Sequence, residues 1–265
     1  MRILGIETSC DETAASVVED GYRMLSNVVA SSMDEHVKYG GVVPEIAARS
    51  HIEVIMPVID QGLAEAECSW EDIDAIAVTY GAGLGGSLLV GVMTARTLAI
   101  AHDKPLYAIN HVEAHVYANF ITETSLPGYS LRKSSPEFPM LGIIVSGGHS
   151  QLVLFKNHSD YQILGKTQDD AIGEAFDKVA KILGLPYPGG PSVAKIALDG
   201  SPEAYKLPIA KMPGYDFSYS GPKTAVLRLA QSLIGEGFDL PAFKLSGRLR
   251  DTQKADIAAR FQYTV

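Results

Sequence analysis

The chain has 265 residues, 46% hydrophobic and 20% charged, with a formal net charge of −9. That length buries a sizeable core in one large domain or two lobes, and the acidity argues against unaided nucleic-acid binding, since phosphate neutralisation supplies most of that affinity. No run of eighteen apolar residues occurs and the start "MRILGIETSC" is no signal peptide; a cytoplasmic address with no membrane association is the default, and Cys10 and Cys68, in no CxxC pattern, read as reduced thiols.

In chain order, "RILGIE", "ASVVED" and "RMLSNVV" read as three short strands joined by tight turns. "PEIAARSHIEVIMPVIDQGLAEA" has helical spacing with proline near its start. "IDAIAVTY" is a strand running into the glycine-rich "GAGLGGS"; "LLVGVMTARTLAIAHD" is then a helix and "PLYAIN" another strand. This order describes an α/β lobe on a mixed sheet. Residues 123–138, rich in Ser, Pro and charge, read as an exposed loop. Three more strands follow, "MLGIIVSGG", "SQLVLFK" and "YQILGKT", then the helix "GEAFDKVAKILGL". The repeated order predicts a duplicated fold around a cleft, with a first lobe over residues 1–110 and a second over 111–265. After "DFSYSGPKTAVLRL" and the helical "TQKADIAARFQYTV" no further strand appears, so the second lobe is expected to be incomplete.

"NHVEAHVYANF" places His111 and His115 four apart. On a helix they share one face, about 5–6 Å apart at Cβ, close enough to share a metal ion. A zinc protease of the HExxH type has its general base immediately after the first histidine. Here Glu113 is two residues on, roughly 200° around the helix, and points away. An ordinary pair of surface or core histidines is the plain alternative, and a metal site needs a third ligand from elsewhere.

"VSGGHS" follows a strand with Ser146, Gly147 and Gly148, where backbone N–H groups can approach an anion. "IETSCDET" occupies the matching place in the first lobe; two such loops facing each other would hold the phosphates of a nucleotide, although Gly-rich hairpins are mostly only turns. "GAGLGGSLLVG" lacks the GK[ST] ending of a Walker loop and reads either as a helix-terminal phosphate cradle or as a tight turn. In "DDAIGEAFDKVAK", a solvated face explains most of Asp169, Asp170, Glu174 and Asp177; Asp177, beside Phe176 and facing the "YPGGPS" loop at 187–192, is the better ligand-binding candidate. Lys223 in "GYDFSYSGPKTA" reads as a substrate contact or a packed corner.

Taken together, "GIETSCDETA", "YGGVVPEIAARSH", "HVEAH", "VSGGHSQL", "GEAFDKVAK", "LPYPGGPS" and "DFSYSGPKTA" resemble the TsaD family, whose older name is O-sialoglycoprotein endopeptidase, from Met1 to about Phe261. The resemblance implies a two-lobed actin, sugar-kinase and Hsp70-like (ASKHA) fold with duplicated RNase H-like lobes. It implies transfer of a threonylcarbamoyl group from threonylcarbamoyl-AMP to N6 of adenosine 37 in tRNAs reading A-starting codons, with TsaB-like and TsaE-like partner proteins. By motif, His111 and His115 bind one divalent metal ion per chain, Fe2+ or Zn2+. Ile144, Val145, Ser146, Gly147 and Gly148 contact the adenylate, as do Asp177 and Gly190. Ser9, Asp11 and Glu12 line the same cleft, and Asp11 or Glu12 is the candidate acceptor of the amine proton. Departures are Ala82 in "GAGL" where the family often has "GPGL", Asn110 where some members have histidine, and Ala194 where some have aspartate. The family's later asparagine and aspartate ligands are not in this sequence, so the resemblance implies a C-terminally truncated second lobe with an unpaired edge and a chain that alone is poorly stable and inactive. A small-molecule kinase of the same fold, a metalloprotease and a chain that only binds a partner are the alternatives; the first leaves "HVEAH" unexplained and the second lacks its base.

Overall fold

The computed structural model describes residues 1–158, 160–235, 240–241, 244–245 and 247–265. Two units are compact in themselves, Met1–Glu137 and Phe138–Val265.

In the first unit, β1 (Arg2–Glu7) and β2 (Glu12–Glu19) form an antiparallel hairpin in which Arg2 faces Glu19 and Glu7 faces Ala14. Alternation places Leu4, Ile6, Ala15 and Val17 in the core. The stretch expected to be a third strand splits into β3 (Arg23–Met24) and β4 (Val28–Ser31), both pairing with β2. The cause is Ser26, fully buried, whose hydroxyl accepts from the Val17 amide while the Ser16 hydroxyl donates to its carbonyl. Local side-chain bonds there replace the ladder.

A short helix, α1 (Met33–Val37), precedes α2 (Pro44–Glu65). Pro44 opens α2 with Val43 extended before it, as a residue preceding proline prefers. Pro57 stands inside α2 and removes a donor; the helix continues because Ile55, Val58 and Ile59 on the same turn are buried. β5 (Ala75–Gly81) pairs parallel with β1, α3 (Gly85–Ala101) covers it, and β6 (Leu106–Asn110) pairs parallel with β5. α4 (His111–Tyr117) follows without a loop, and β7 (Glu123–Thr124) pairs with β3. The unit therefore runs past the expected boundary at 110, because α4 packs on β5 and β6 and β7 returns to the sheet. The sheet order is β6-β5-β1-β2-β3-β7, with β4 also on β2.

The second unit opens with β8 (Met140–Val145), β9 (Ser150–Asn157) and β10 (Asp160–Lys166), an antiparallel sheet in the order β10-β9-β8. Among the described residues β8 pairs with β9 alone, and its Leu141, Ile143 and Val145 are exposed. α5 (Ile172–Leu183), α6 (Gly189–Ala197), α7 (Ser220–Leu233) and α8 (Asp251–Thr264) enclose a second core around Val179, Leu183, Val226, Ile257 and Phe261. α6 occupies the "GGPS" stretch read as a loop. Each unit thus begins with antiparallel strands followed by a helix. No helix among the described residues is long and apolar enough to cross a membrane.

Candidate functional site

Asn110 ends β6 and caps α4, its side-chain oxygen accepting from the Val112 and Glu113 amides. Asparagine is among the preferred residues for that place. The cap starts the helix at His111. His111 and His115 consequently share a face, with their Nε2 atoms 3.1 Å apart and the rings edge-on at 4.5 Å between centroids. Two nitrogens at that separation can both lie about 2.1 Å from a single ion, so the donor set suits a divalent metal. Among the described residues no group of three or more His, Cys, Asp or Glu assembles around a metal position. Glu113 lies on another face of α4, lining a pocket of about 510 Å³ with Ala114, Tyr117 and Phe120. That is the direction expected of a glutamate unable to serve as the protease base.

The opening hairpin comes to the same helix. The Ser9 hydroxyl lies 3.0 Å from His111 Nδ1, and Glu7 Oε2 lies 3.2 Å from the same nitrogen. Glu7 also accepts from the Ser9 amide and the Thr79 hydroxyl. Burial pushes the Glu7 carboxyl up, but the hydrogen bonds from His111, Ser9 and Thr79 outweigh it and bring its pKa down to about 2. Glu7 was not among the residues singled out by sequence; its place as the carboxylate ending β1 was the only signal.

Asp11 and Glu12 stand at the turn of the hairpin, Glu12 exposed. Two buried histidines hold this turn from below. His51 on α2 donates from Nε2 to the Cys10 carbonyl at 3.0 Å, and its Nδ1 meets the Thr13 hydroxyl at 2.7 Å. Ser32 donates its amide and its hydroxyl to the Asp11 carbonyl, and His36 Nε2 lies 3.2 Å from that hydroxyl. Burial, followed by the neighbouring Asp11, pushes the Cys10 thiol up to about 11. The glycine-rich stretch at 81–87 turns from β5 into α3 against the opening hairpin. Its Leu84 amide is spent on the Ser9 carbonyl at 2.7 Å, and a Cβ at Gly83 would lie 2.6 Å from that carbonyl oxygen.

In the second unit, Ser146–Gly148 follow β8 as expected. The Ser146 amide donates to the His149 carbonyl at 2.9 Å, and the Ser146 hydroxyl accepts from the His149 amide at 3.0 Å. Gly173, in the first turn of α5, donates to the Ser146 carbonyl at 3.2 Å. A Cβ on Gly147 or Gly148 would meet nothing within 4 Å, leaving both open to a ligand. Ile144 is buried and Val145 exposed, so Ile144 offers a ligand only its backbone. Asp177 on α5 accepts from the Gly189 amide at 2.7 Å at the start of α6. Burial pushes its carboxyl up against that hydrogen bond. Gly189 must be glycine, since a Cβ would lie 2.5 Å from the Asp177 Cα, whereas Gly190 faces open space.

Asp169 and Asp170 precede α5 and are not a solvated helical face. Asp169 accepts from the Ser218 and Ser220 hydroxyls and the Tyr219 and Ser220 amides. Asp170 pairs with Lys178 at 2.7 Å and Lys223 at 2.6 Å. Lys223 therefore belongs to a packed corner.

The sequence profile described as TsaD, tRNA N6-adenosine threonylcarbamoyltransferase, matches residues 23–265. A tRNA N6-adenosine threonylcarbamoyltransferase of Symbiobacterium thermophilum is 52% identical over 264 residues, covering 99% of this chain and 71% of that protein. One of Thermomicrobium roseum is 50% identical over 273 residues, covering all of this chain and 74% of that protein. Among solved structures, component A of the (R)-2-hydroxyglutaryl-CoA dehydratase of Acidaminococcus fermentans aligns with all of this chain and 77% of its own, at 15% identity and a TM-score of 0.45.

Proposed function

Because this chain belongs to the tRNA N6-adenosine threonylcarbamoyltransferase family, we propose that it transfers the threonylcarbamoyl group of threonylcarbamoyl-AMP to N6 of adenosine 37 in tRNA, with His111 and His115 holding one divalent ion, Fe2+ or Zn2+. The ion supplies Lewis-acid polarisation of the donor's oxygens when bound. In the reaction, adenine N6 forms the new bond to the carbamoyl carbon, the bond from that carbon to the phosphate oxygen breaks, AMP leaves, and one proton departs from N6.

The residues of the chain divide this work. Ser146 and the exposed Gly147 and Gly148 receive the adenylate, together with the backbone of Ile144 and Val145 and with Asp177 and Gly190. The open space at Gly147, Gly148 and Gly190 supports that assignment. Ser9 keeps the His111 ring in place. Asp11 or Glu12 accepts the proton from N6, carried on a hairpin turn that His51 and Ser32 hold fixed. An exocyclic adenine amine is a weak nucleophile, so a fixed turn contributes through positioning. The acidic chain takes its tRNA with TsaB-like and TsaE-like partners, and the exposed Ile52, Met56, Leu89 and Met93 of α2 and α3 supply apolar surface for a protein partner.

The observation that carries the metal reading is the 3.1 Å approach of two ring nitrogens on one helix face. The test is the threonylcarbamoyladenosine content of total tRNA, by mass spectrometry, in cells depleted of this gene and re-supplied with the wild-type chain or the His111→Ala/His115→Ala double variant. Return of the nucleoside with the wild type and its absence with the variant supports the reading; equal return from both removes the metal pair from it, and absence with both shows the expected inactivity of this chain alone.

A further inference from the structure

Glu7 ends β1, and its carboxylate is turned towards α4. Three donors converge on its two oxygens. The Ser9 amide reaches Oε1, while the Thr79 hydroxyl and His111 Nδ1, the latter at 3.2 Å, reach Oε2. The Ser9 amide can only donate. A carboxylate has lone pairs for all three contacts and no proton of its own, so the hydrogen between Oε2 and the imidazole belongs to Nδ1. The Ser9 hydroxyl, 3.0 Å from the same nitrogen, then accepts a share of that hydrogen.

A neutral imidazole carries one hydrogen and one lone pair. With the hydrogen on Nδ1, the lone pair of His111 is on Nε2, the atom 3.1 Å from Nε2 of His115. A histidine that binds a metal through one nitrogen commonly donates its other N–H to a carboxylate, which sets the tautomer and ring direction. We propose that Glu7 is the positioning residue of the histidine pair: through His111 Nδ1 it holds the ring in the tautomer whose Nε2 lone pair faces the ion, with Thr79 steadying the carboxylate from β5. This rests on the metal reading above. It joins the strands β1 and β5 to the helix α4 through one side chain, and it separates the roles of the two glutamates near the pair. Glu7 touches His111, whereas Glu113 lines the pocket on another face.

Two measurements test it. Long-range 1H–15N correlation spectra of the metal-free protein with 15N-labelled histidine report the tautomer directly, the His111 signal being assigned by its loss in His111→Ala. The expected result is an Nδ1–H tautomer in the wild type that is lost in Glu7→Gln; an Nε2–H tautomer in the wild type overturns the proposal. Titration with Co2+ is the second measurement. Glu7→Gln should bind Co2+ roughly 10–100-fold more weakly than wild type and Thr79→Val should show a smaller loss, with Glu113→Gln unchanged. Co2+ affinity in Glu7→Gln equal to that of the wild type overturns the proposal. Should the wild type bind no Co2+, the metal reading fails, and the tautomer measurement alone then decides whether Glu7 orients His111.

Discussion

His51 and Cys10 are tied by a hydrogen bond from the ring Nε2 to the backbone carbonyl at 3.0 Å, at a histidine with 1% of its surface exposed. Since a carbonyl only accepts, the His51 Nε2 carries the hydrogen and Nδ1 accepts from Thr13 at 2.7 Å. The turn bearing Asp11 and Glu12 is thus fastened to α2 by a neutral imidazole. Burial, the largest influence, lowers the His51 pKa, against the Cys10 carbonyl, Glu7 and Asp11, which raise it.

A folded pKa below the unfolded value means that the unfolded chain binds the extra proton first. The His51 contribution to stability is therefore complete above about pH 6.5 and is lost as pH falls through the folded value. The melting temperature should drop on acidification below that point, and His51→Gln, which keeps a donor for Cys10, should lack this part of the drop. His51→Ala removes both partners and should cost about 1–3 kcal/mol, read by denaturant unfolding at pH 7.5. Identical pH profiles for wild type and His51→Gln would count against this account.

Gly83→Ala tests the seating of the hairpin. The added Cβ would lie 2.6 Å from the Ser9 carbonyl oxygen and 2.7 Å from its Cβ, and the backbone of Ser9 cannot swing aside as a flexible side-chain tip can. The expected cost is about 1–3 kcal/mol, together with weaker Co2+ binding, because Ser9 is displaced from His111. A variant of unchanged stability and unchanged Co2+ affinity would show that the contact relaxes freely.

Gly148→Ala should behave in the opposite way. With nothing within 4 Å of the new methyl group, stability should stay within about 0.5 kcal/mol of wild type. If the backbone at Gly147 and Gly148 receives the adenylate, the methyl group intrudes on the ligand alone. Affinity for AMP should fall about tenfold, equivalent to roughly 1.4 kcal/mol, in an equilibrium titration. Unchanged AMP binding would move the adenylate elsewhere.

Asp169 staples two segments of the second unit. Partial burial pushes its carboxyl up, but hydroxyls and amides of Ser218, Tyr219 and Ser220 outweigh that and bring the pKa down to about 2. Its contribution is present above about pH 4 and is lost as pH falls towards 2. Asp169→Ala should cost about 1 kcal/mol, a modest figure because the site is open to water. Faster amide exchange at 218–220 is the companion readout, and exchange at wild-type rates would argue against the staple.

Most strands and long helices were legible in the sequence, because alternating and 3.6-residue patterns are local properties of the chain. The same holds for the histidine face of α4, where spacing alone sets His111 and His115 together and Glu113 apart. The seven motifs, by their types and order, determined the family and the α/β class. Distant contacts decided the rest. Glu7 meets His111 across 104 positions and Thr79 across 72, and Asp169 meets Ser220 across 51; no periodicity encodes such pairs. Ser26 divides one expected strand into two by bonding to β2, and Gly189 starts an unexpected helix against Asp177. The glycines at 83 and 148 look alike in the sequence, and only packing makes one a crowded seat for Ser9 and the other open space. Residue type and spacing set which chemistry the chain holds, while tertiary approach decides which groups orient it, since hydrogen bonds form between atoms near in space whatever their distance along the chain.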